Sequence, residues 1–102
     1  MQTMAREIDR EGIRAFCRRW GVREFSLFGS ILREDFGPAS DVDVLIALRA
    51  GTSMTLEAHM AMREEIARMF GGREVDMVRQ EFMKNPYRKA EIMRTREVVY
   101  AE

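Results

Sequence analysis

The segment Asp41-Val-Asp-Val-Leu-Ile-Ala-Leu48 constrains the fold of this chain more than any other. Side chains alternate across a strand, so Val42, Val44, Ile46 and Leu48 line one face while Asp41, Asp43, Leu45 and Ala47 line the other. A face of branched apolar residues requires a helical layer against it. At the head of the strand, Asp41 and Asp43 point the same way with no basic partner. Two close like charges of that kind call for a cation.

The surrounding sequence alternates helix and strand. Met4 to Trp20 reads as a helix, with Ile13, Phe16, Cys17 and Trp20 at helical spacing and Gly21 as its stop. Glu24 to Phe28 reads as a short aromatic-rich strand. Gly29-Ser30 breaks it and opens a helical turn through Arg33, and Asp35 to Ser40 is a loop marked by Gly37-Pro38. After the Asp41–Leu48 strand, Thr52, Ser53 or Thr55 caps a helix whose buried stripe is Met62, Ile66, Met69 and Phe70, closed by Gly71-Gly72. Arg73 to Val78 is a third strand, with Val75 and Met77 on one face and Asp76 on the other. A short polar turn follows, then a helix from Pro86 through about Arg94, and Val98 to Tyr100 can add a last strand. The pattern predicts an α/β (α+β) domain with a small mixed or parallel sheet flanked by helices, its ligand crevice at the edge carrying Gly29, Asp43 and Asp76.

With 102 residues, the expectation is one domain over residues 1–102 with one core. The 17 basic and 17 acidic residues balance, which disfavours nucleic acid as a direct ligand but leaves room for a small nucleotide. The lone Cys17 excludes an intrachain disulfide, and with His59 as the single histidine a nitrogen–sulfur metal site is not expected. No apolar run reaches the roughly 20 residues of a membrane span, and the charged N-terminus lacks the core of a signal peptide. A cytoplasmic location fits these features.

The residue types assign distinct tasks. Magnesium takes oxygen ligands, commonly one or two carboxylates plus substrate phosphates. Asp41 and Asp43 meet that need, and Asp76 offers a third carboxylate. Two ions roughly 3.5–4 Å apart sharing these ligands would activate a hydroxyl and steady a leaving pyrophosphate, with Asp76 the candidate to take the proton. Gly29 lets backbone approach a phosphate closely, and the Ser30 hydroxyl adds a hydrogen bond. Arg33 can neutralise phosphate charge, and Ser40 caps the loop before the metal strand. The combination points to metal-assisted phosphoryl or nucleotidyl transfer.

Gly29-Ser30, the ten-residue spacer and Asp41-x-Asp43 resemble the signature of the DNA polymerase β-like nucleotidyltransferase superfamily. The short chain is similar to its minimal nucleotidyltransferase (MNT) branch. The motifs run from Phe25 to Val78, and the Asn85-Pro-Tyr87 tail resembles the family more loosely. The resemblance implies that Gly29 and Ser30 bind nucleotide and that Asp41, Asp43 and Asp76 hold metal. Glu34 departs from the pattern, since many members carry glycine there. MNT proteins of this size resemble the antitoxin half of HEPN–MNT toxin–antitoxin pairs. That likeness implies transfer of AMP from ATP to a tyrosine of a HEPN ribonuclease, in a hetero-oligomer with that toxin. Competing readings are a non-enzymatic antitoxin that masks its partner, and transfer to a small molecule. The last is disfavoured because the acceptor domain of larger members is missing.

Other residues read as structural. His59 is a solvated helix histidine, Cys17 a small core residue, and the methionines core packing with a Met-rich partner surface as the alternative. Arg88, Lys89, Arg94 and Arg96 read as a solvated helix face, with a contact to triphosphate or an acidic partner as the minority reading. Tyr87 and Tyr100 read as packing residues.

Overall fold

Asp9 fixes where the first helix begins. The computed structural model describes residues 8–33, 36, 37 and 39–102, so the expected start at Met4 lies outside the described residues. Within them, Gly12 donates its N–H to Asp9 Oδ1 at 2.9 Å, and α1 runs Arg10–Trp20. A carboxylate that satisfies an early amide of a helix is a strong start signal. Ile13, Phe16 and Cys17 form its buried face.

The chain turns at Gly21 into β1 (Val22–Phe28), two residues earlier than expected from Glu24. A four-residue 3-10 turn, Gly29–Leu32, precedes β2 (Val42–Leu48). Helix α2 (Leu56–Met69) is capped by Thr55, whose hydroxyl accepts from Ala58 N–H at 3.0 Å. Then come β3 (Val75–Arg79), a 3-10 turn over Gln80–Phe82, α3 (Pro86–Thr95) and β4 (Glu97–Ala101). Asn85 caps α3 by accepting from Tyr87 and Arg88 N–H, which leaves Pro86 in the first turn, where its missing amide hydrogen is harmless.

The sheet has strand order β3-β2-β1-β4 and is mixed. β1 pairs antiparallel with both β2 and β4, and β2 pairs parallel with β3. Parallel neighbours need a crossover, and α2 supplies it. α1 and α2 cover one face: Ile13, Phe16, Met62 and Ile66 pack with Phe25, Leu27, Val44 and Ile46. Phe16 meets Phe25 edge-to-face, with ring centroids 6.0 Å apart. Trp20 Nε1 donates to Glu65 at 2.8 Å, and Arg19 pairs with the same carboxylate, tying α1 to α2. The opposite face is apolar at Phe28 and Leu45, and α3 covers these with Ile92. β2 is therefore sheltered on both sides, as its Val42, Val44, Leu45, Ile46 run requires.

Several side chains depart from expectation. Tyr87 is 86% exposed and does not pack, whereas Tyr100 is half-buried against the core. Met62 and Met77 are core residues, but Met60 is 50% exposed. Arg96 pairs with Glu24 rather than facing solvent. No helix among the described residues is long and apolar enough to cross a membrane.

Cys17 is fully buried, and burial, reinforced by Glu102, pushes its thiol up to about 12. The folded thiol thus stays protonated after the unfolded one ionises. Between the ordinary value of 9.0 and about 12, stability should fall as pH rises and be unaffected by this group below that window. Native protein should resist a disulfide-exchange reagent near neutral pH and react on denaturation; rapid labelling of the folded protein would contradict the burial of Cys17.

Candidate active site

Three strand ends meet at one edge of the sheet. Phe28, the last residue of β1, lies opposite Asp43 of β2, and Asp43 lies beside Asp76 of β3. Partners in parallel register present their side chains to the same face, so the sheet itself sets Asp43 and Asp76 side by side. Asp41 and Asp76 are exposed, and Asp43 is half-buried. Its carboxyl is raised above the ordinary range by burial first, then by the charges of Asp76 and Asp41. Arg88 and Arg33 act in the opposite direction.

Gly29 completes the edge. Its φ is +75°, a left-handed backbone that side chains rarely adopt. A Cβ built there would stand 3.2 Å from Asp43 Cγ and closer still to Oδ2. The missing side chain is what lets the turn come down on the carboxylate. Ser30 follows, its hydroxyl donating to the Asp41 carbonyl at 3.3 Å, which ties the turn to the residue just before β2. Ile31 is buried and anchors the turn to the core, and Arg33 ends it with its N–H on Ser30 O.

The loop before β2 is held by a residue from the far side of α2. Arg73 Nη1 donates to Gly37 O at 2.7 Å and to Ser40 O at 3.0 Å, and its guanidinium lies 4.4 Å from the centre of the Phe36 ring. Ser40 Oγ accepts from Gly37 N–H at 3.1 Å and so serves the loop. Pro38 and Asp35 of the expected turn lie outside the described residues. The structure thus brings together Gly29, Ser30, Asp41, Asp43 and Asp76, sets Arg33 within electrostatic reach, and keeps Ser40 one step back. Sequence reasoning missed Arg73, which has no local signal because its partners are set by tertiary folding. Arg88, read as part of a solvated helix face, is indeed exposed on α3, and its charge bears on Asp43.

The donor set is acidic and all oxygen, the chemistry a hard divalent cation prefers. Among the described residues, no three His, Cys, Asp or Glu side chains are gathered closely enough to cage an ion by themselves. Carboxylates that face one another without a cation repel. A metal at this edge would draw remaining ligands from a substrate, which an open site permits.

A family model for the nucleotidyltransferase domain matches residues 10–99. The chain belongs to this family. This nucleotidyltransferase is also similar to solved structures of the same fold. One, described as a minimal nucleotidyltransferase, has 28% identity and a TM-score of 0.68, with 86% of each chain covered. A chain from a toxin–antitoxin crystal structure with AMP-PNP has 14% identity and a TM-score of 0.73, over 93% of this chain and 75% of that one. A chain from the toxin–antitoxin MntA–HepT has 14% identity and a TM-score of 0.63, over 91% and 70%. No curated protein matches the sequence significantly. The mixed sheet with its three helices is thereby the polymerase β-like nucleotidyltransferase fold.

Two substitutions test how the edge is built. Gly29→Ala should destabilise by about 1–2 kcal/mol from the left-handed backbone alone, plus a further loss from collision with Asp43. Gly51→Ala, at φ +81° with nothing within 4 Å, carries the backbone penalty without the collision. Urea denaturation should therefore rank Gly29→Ala below Gly51→Ala; equal losses would remove the close approach. Arg73→Met should lower stability by about 1–3 kcal/mol through two lost charge-assisted hydrogen bonds, measured the same way.

Proposed function

We propose that this nucleotidyltransferase transfers AMP from magnesium-bound ATP to a hydroxyl acceptor, the tyrosine of a HEPN-type toxin being the acceptor that best fits. The observation that carries the reading is the row Gly29, Asp43, Asp76. It sets a backbone turn able to approach a phosphate against a carboxylate flanked by two others. A purely structural site has no use for aspartates crowded in this way, because each raises the energy of its neighbours.

Asp41, Asp43 and Asp76 would hold the magnesium, in one or two ions. When bound, it neutralises phosphate charge and lowers the pKa of the attacking hydroxyl. Gly29 and Ser30 orient the triphosphate through backbone amide and hydroxyl, and Arg33 adds positive charge at the end of the turn. The acceptor oxygen forms a bond to the α-phosphorus as the α–β bridging P–O bond breaks. Pyrophosphate leaves with the electron pair, and the acceptor proton passes to Asp76. Ser40 contributes by holding the loop before β2.

Adenine nucleotide is supported by the structure of like fold that carries AMP-PNP, and a toxin partner by the likeness to MntA–HepT. The balanced charge of the chain favours a protein acceptor over nucleic acid, and the cytoplasm would supply both ATP and partner.

The test is incubation with α-labelled ATP, magnesium and a HEPN protein encoded beside this gene, followed by mass spectrometry of the partner. An adenylylated tyrosine is expected, and chelation of magnesium should abolish it. Asp43→Ala should reduce transfer by more than the roughly 10–100-fold that loss of an outer-shell partner costs, with the melting temperature retained. If Asp43→Ala still silences the toxin as well as the parent does, masking without chemistry is the correct reading. Absence of any adduct with all four nucleotides would exclude transfer to that acceptor.

A further inference from the structure

Helix α3 lies on the sheet face shared by Asp43 and Leu45, with Ile92 turned down onto Leu45 and Phe28. Successive residues of a helix are about 100° apart, so Arg88 stands about 40° to one side of Ile92, while Lys89 and Arg96 stand about 60° and 40° to the other. What these flanks touch distinguishes them. Lys89 lines a cavity of about 280 Å³ with Arg23, Ala47 and Leu48. Arg96 Nε donates to Glu24 at 3.0 Å. Both landmarks mark the end of the sheet remote from the aspartates, since Glu24 pairs with Ala47 while Phe28 pairs with Asp43. The flank carrying Arg88 therefore looks the other way, toward the edge where Asp43 stands.

The electrostatics agree with that placement. Arg88 is exposed and forms no ion pair among the described residues. Its charge nevertheless bears on Asp43, opposing the effects of burial, Asp76 and Asp41. The guanidinium is in no ion pair with Asp43, so its donors are not taken up by that carboxylate. Its planar fork of donors suits phosphate oxygens better than a lone ammonium would. Gly29 and Ser30 approach the same space from the end of β1, so the two groups would grip a polyphosphate from different layers of the fold.

We infer that Arg88 is a phosphate-binding residue of this site, meeting from α3 the β- or γ-phosphate of the triphosphate, the part that leaves as pyrophosphate. The inference rests on the nucleotidyl-transfer reading and assigns a residue that the strand motif does not contain. It also gives α3 a chemical task beyond covering Leu45.

Titration calorimetry with magnesium–ATP, magnesium–pyrophosphate and AMP, on the parent protein and three variants, tests it. Arg88→Ala should weaken ATP and pyrophosphate by roughly 10–100-fold, the range for one hydrogen bond to a charged group, and leave AMP within about twofold. Arg88→Lys should fall between the parent and alanine forms, because charge is kept and the fork is lost. Arg94→Ala, whose guanidinium is engaged by Glu91, should change none of the three. Unaltered pyrophosphate affinity in Arg88→Ala, or an equal loss for AMP, overturns the role of Arg88 while leaving the nucleotide site standing. A parent protein that binds neither ATP nor pyrophosphate overturns this inference together with the function beneath it.

Discussion

The register of β2 between its neighbours is the constraint on which the rest of this molecule depends. Antiparallel pairing with β1 sets Phe28, and hence the Gly29 turn, against Asp43; parallel pairing with β3 sets Asp76 beside it. Because side chains alternate, a slip of one residue would carry Asp43 to the α1–α2 face and push Val44 or Val42 out among the carboxylates. The branched apolar residues buried under Met62 and Ile66 resist that slip. Ordinary hydrophobic packing on one face thus fixes the position of charges on the other.

Those charges oppose the fold that holds them. Burial, Asp76 and Asp41 all disfavour the ionised form of Asp43, and basic residues at the edge only partly relieve this. Structure with unfavourable local electrostatics persists where the surrounding elements over-determine it. Here the buried Ile31, the Arg73 hook on the loop and the apolar seat of α3 at Ile92 do so. Membership of the nucleotidyltransferase family gives such an acidic edge a reason to persist despite that cost.

Much of this was legible along the chain because it rests on local periodicity. The two-residue repeat of Asp41–Leu48 gave the sheltered strand and the side on which Asp43 stands, although β2 begins at Val42 and leaves Asp41 just before it, and Gly29 announced the close turn. Asp76 could be placed because β3 is itself short and alternating. Helix limits were less legible: Asp9 captures an amide of Gly12 and starts α1 at Arg10, although the helical spacing extends further back. Arg73 was not legible as part of this edge, and Arg88 was legible only as one of four basic residues for which a phosphate contact was the minority reading. Their partners depend on how α2 returns the chain and on the rotation of α3 about its axis, and neither is a property of a sequence window. Tyr87 was misread for the same reason, because an aromatic residue in the first turn of a helix faces the sheet or solvent according to that rotation.

The parallel pairing of β2 with β3 also bears on how the protein comes to be active. Asp41 and Asp43 are set against the Gly29 turn by an antiparallel neighbour, whereas Asp76 reaches the same edge through the crossover that α2 supplies. Contacts of that sequence separation bear a loop-closure penalty and form slowly. A chain whose β3 had not docked would hold the Gly29 turn and two acids while lacking the third. The completeness of this acidic edge therefore depends on α2, a helix whose buried Met62 and Ile66 belong to the core, and the ribosome would release α2 and β3 after the Gly29 turn and β2.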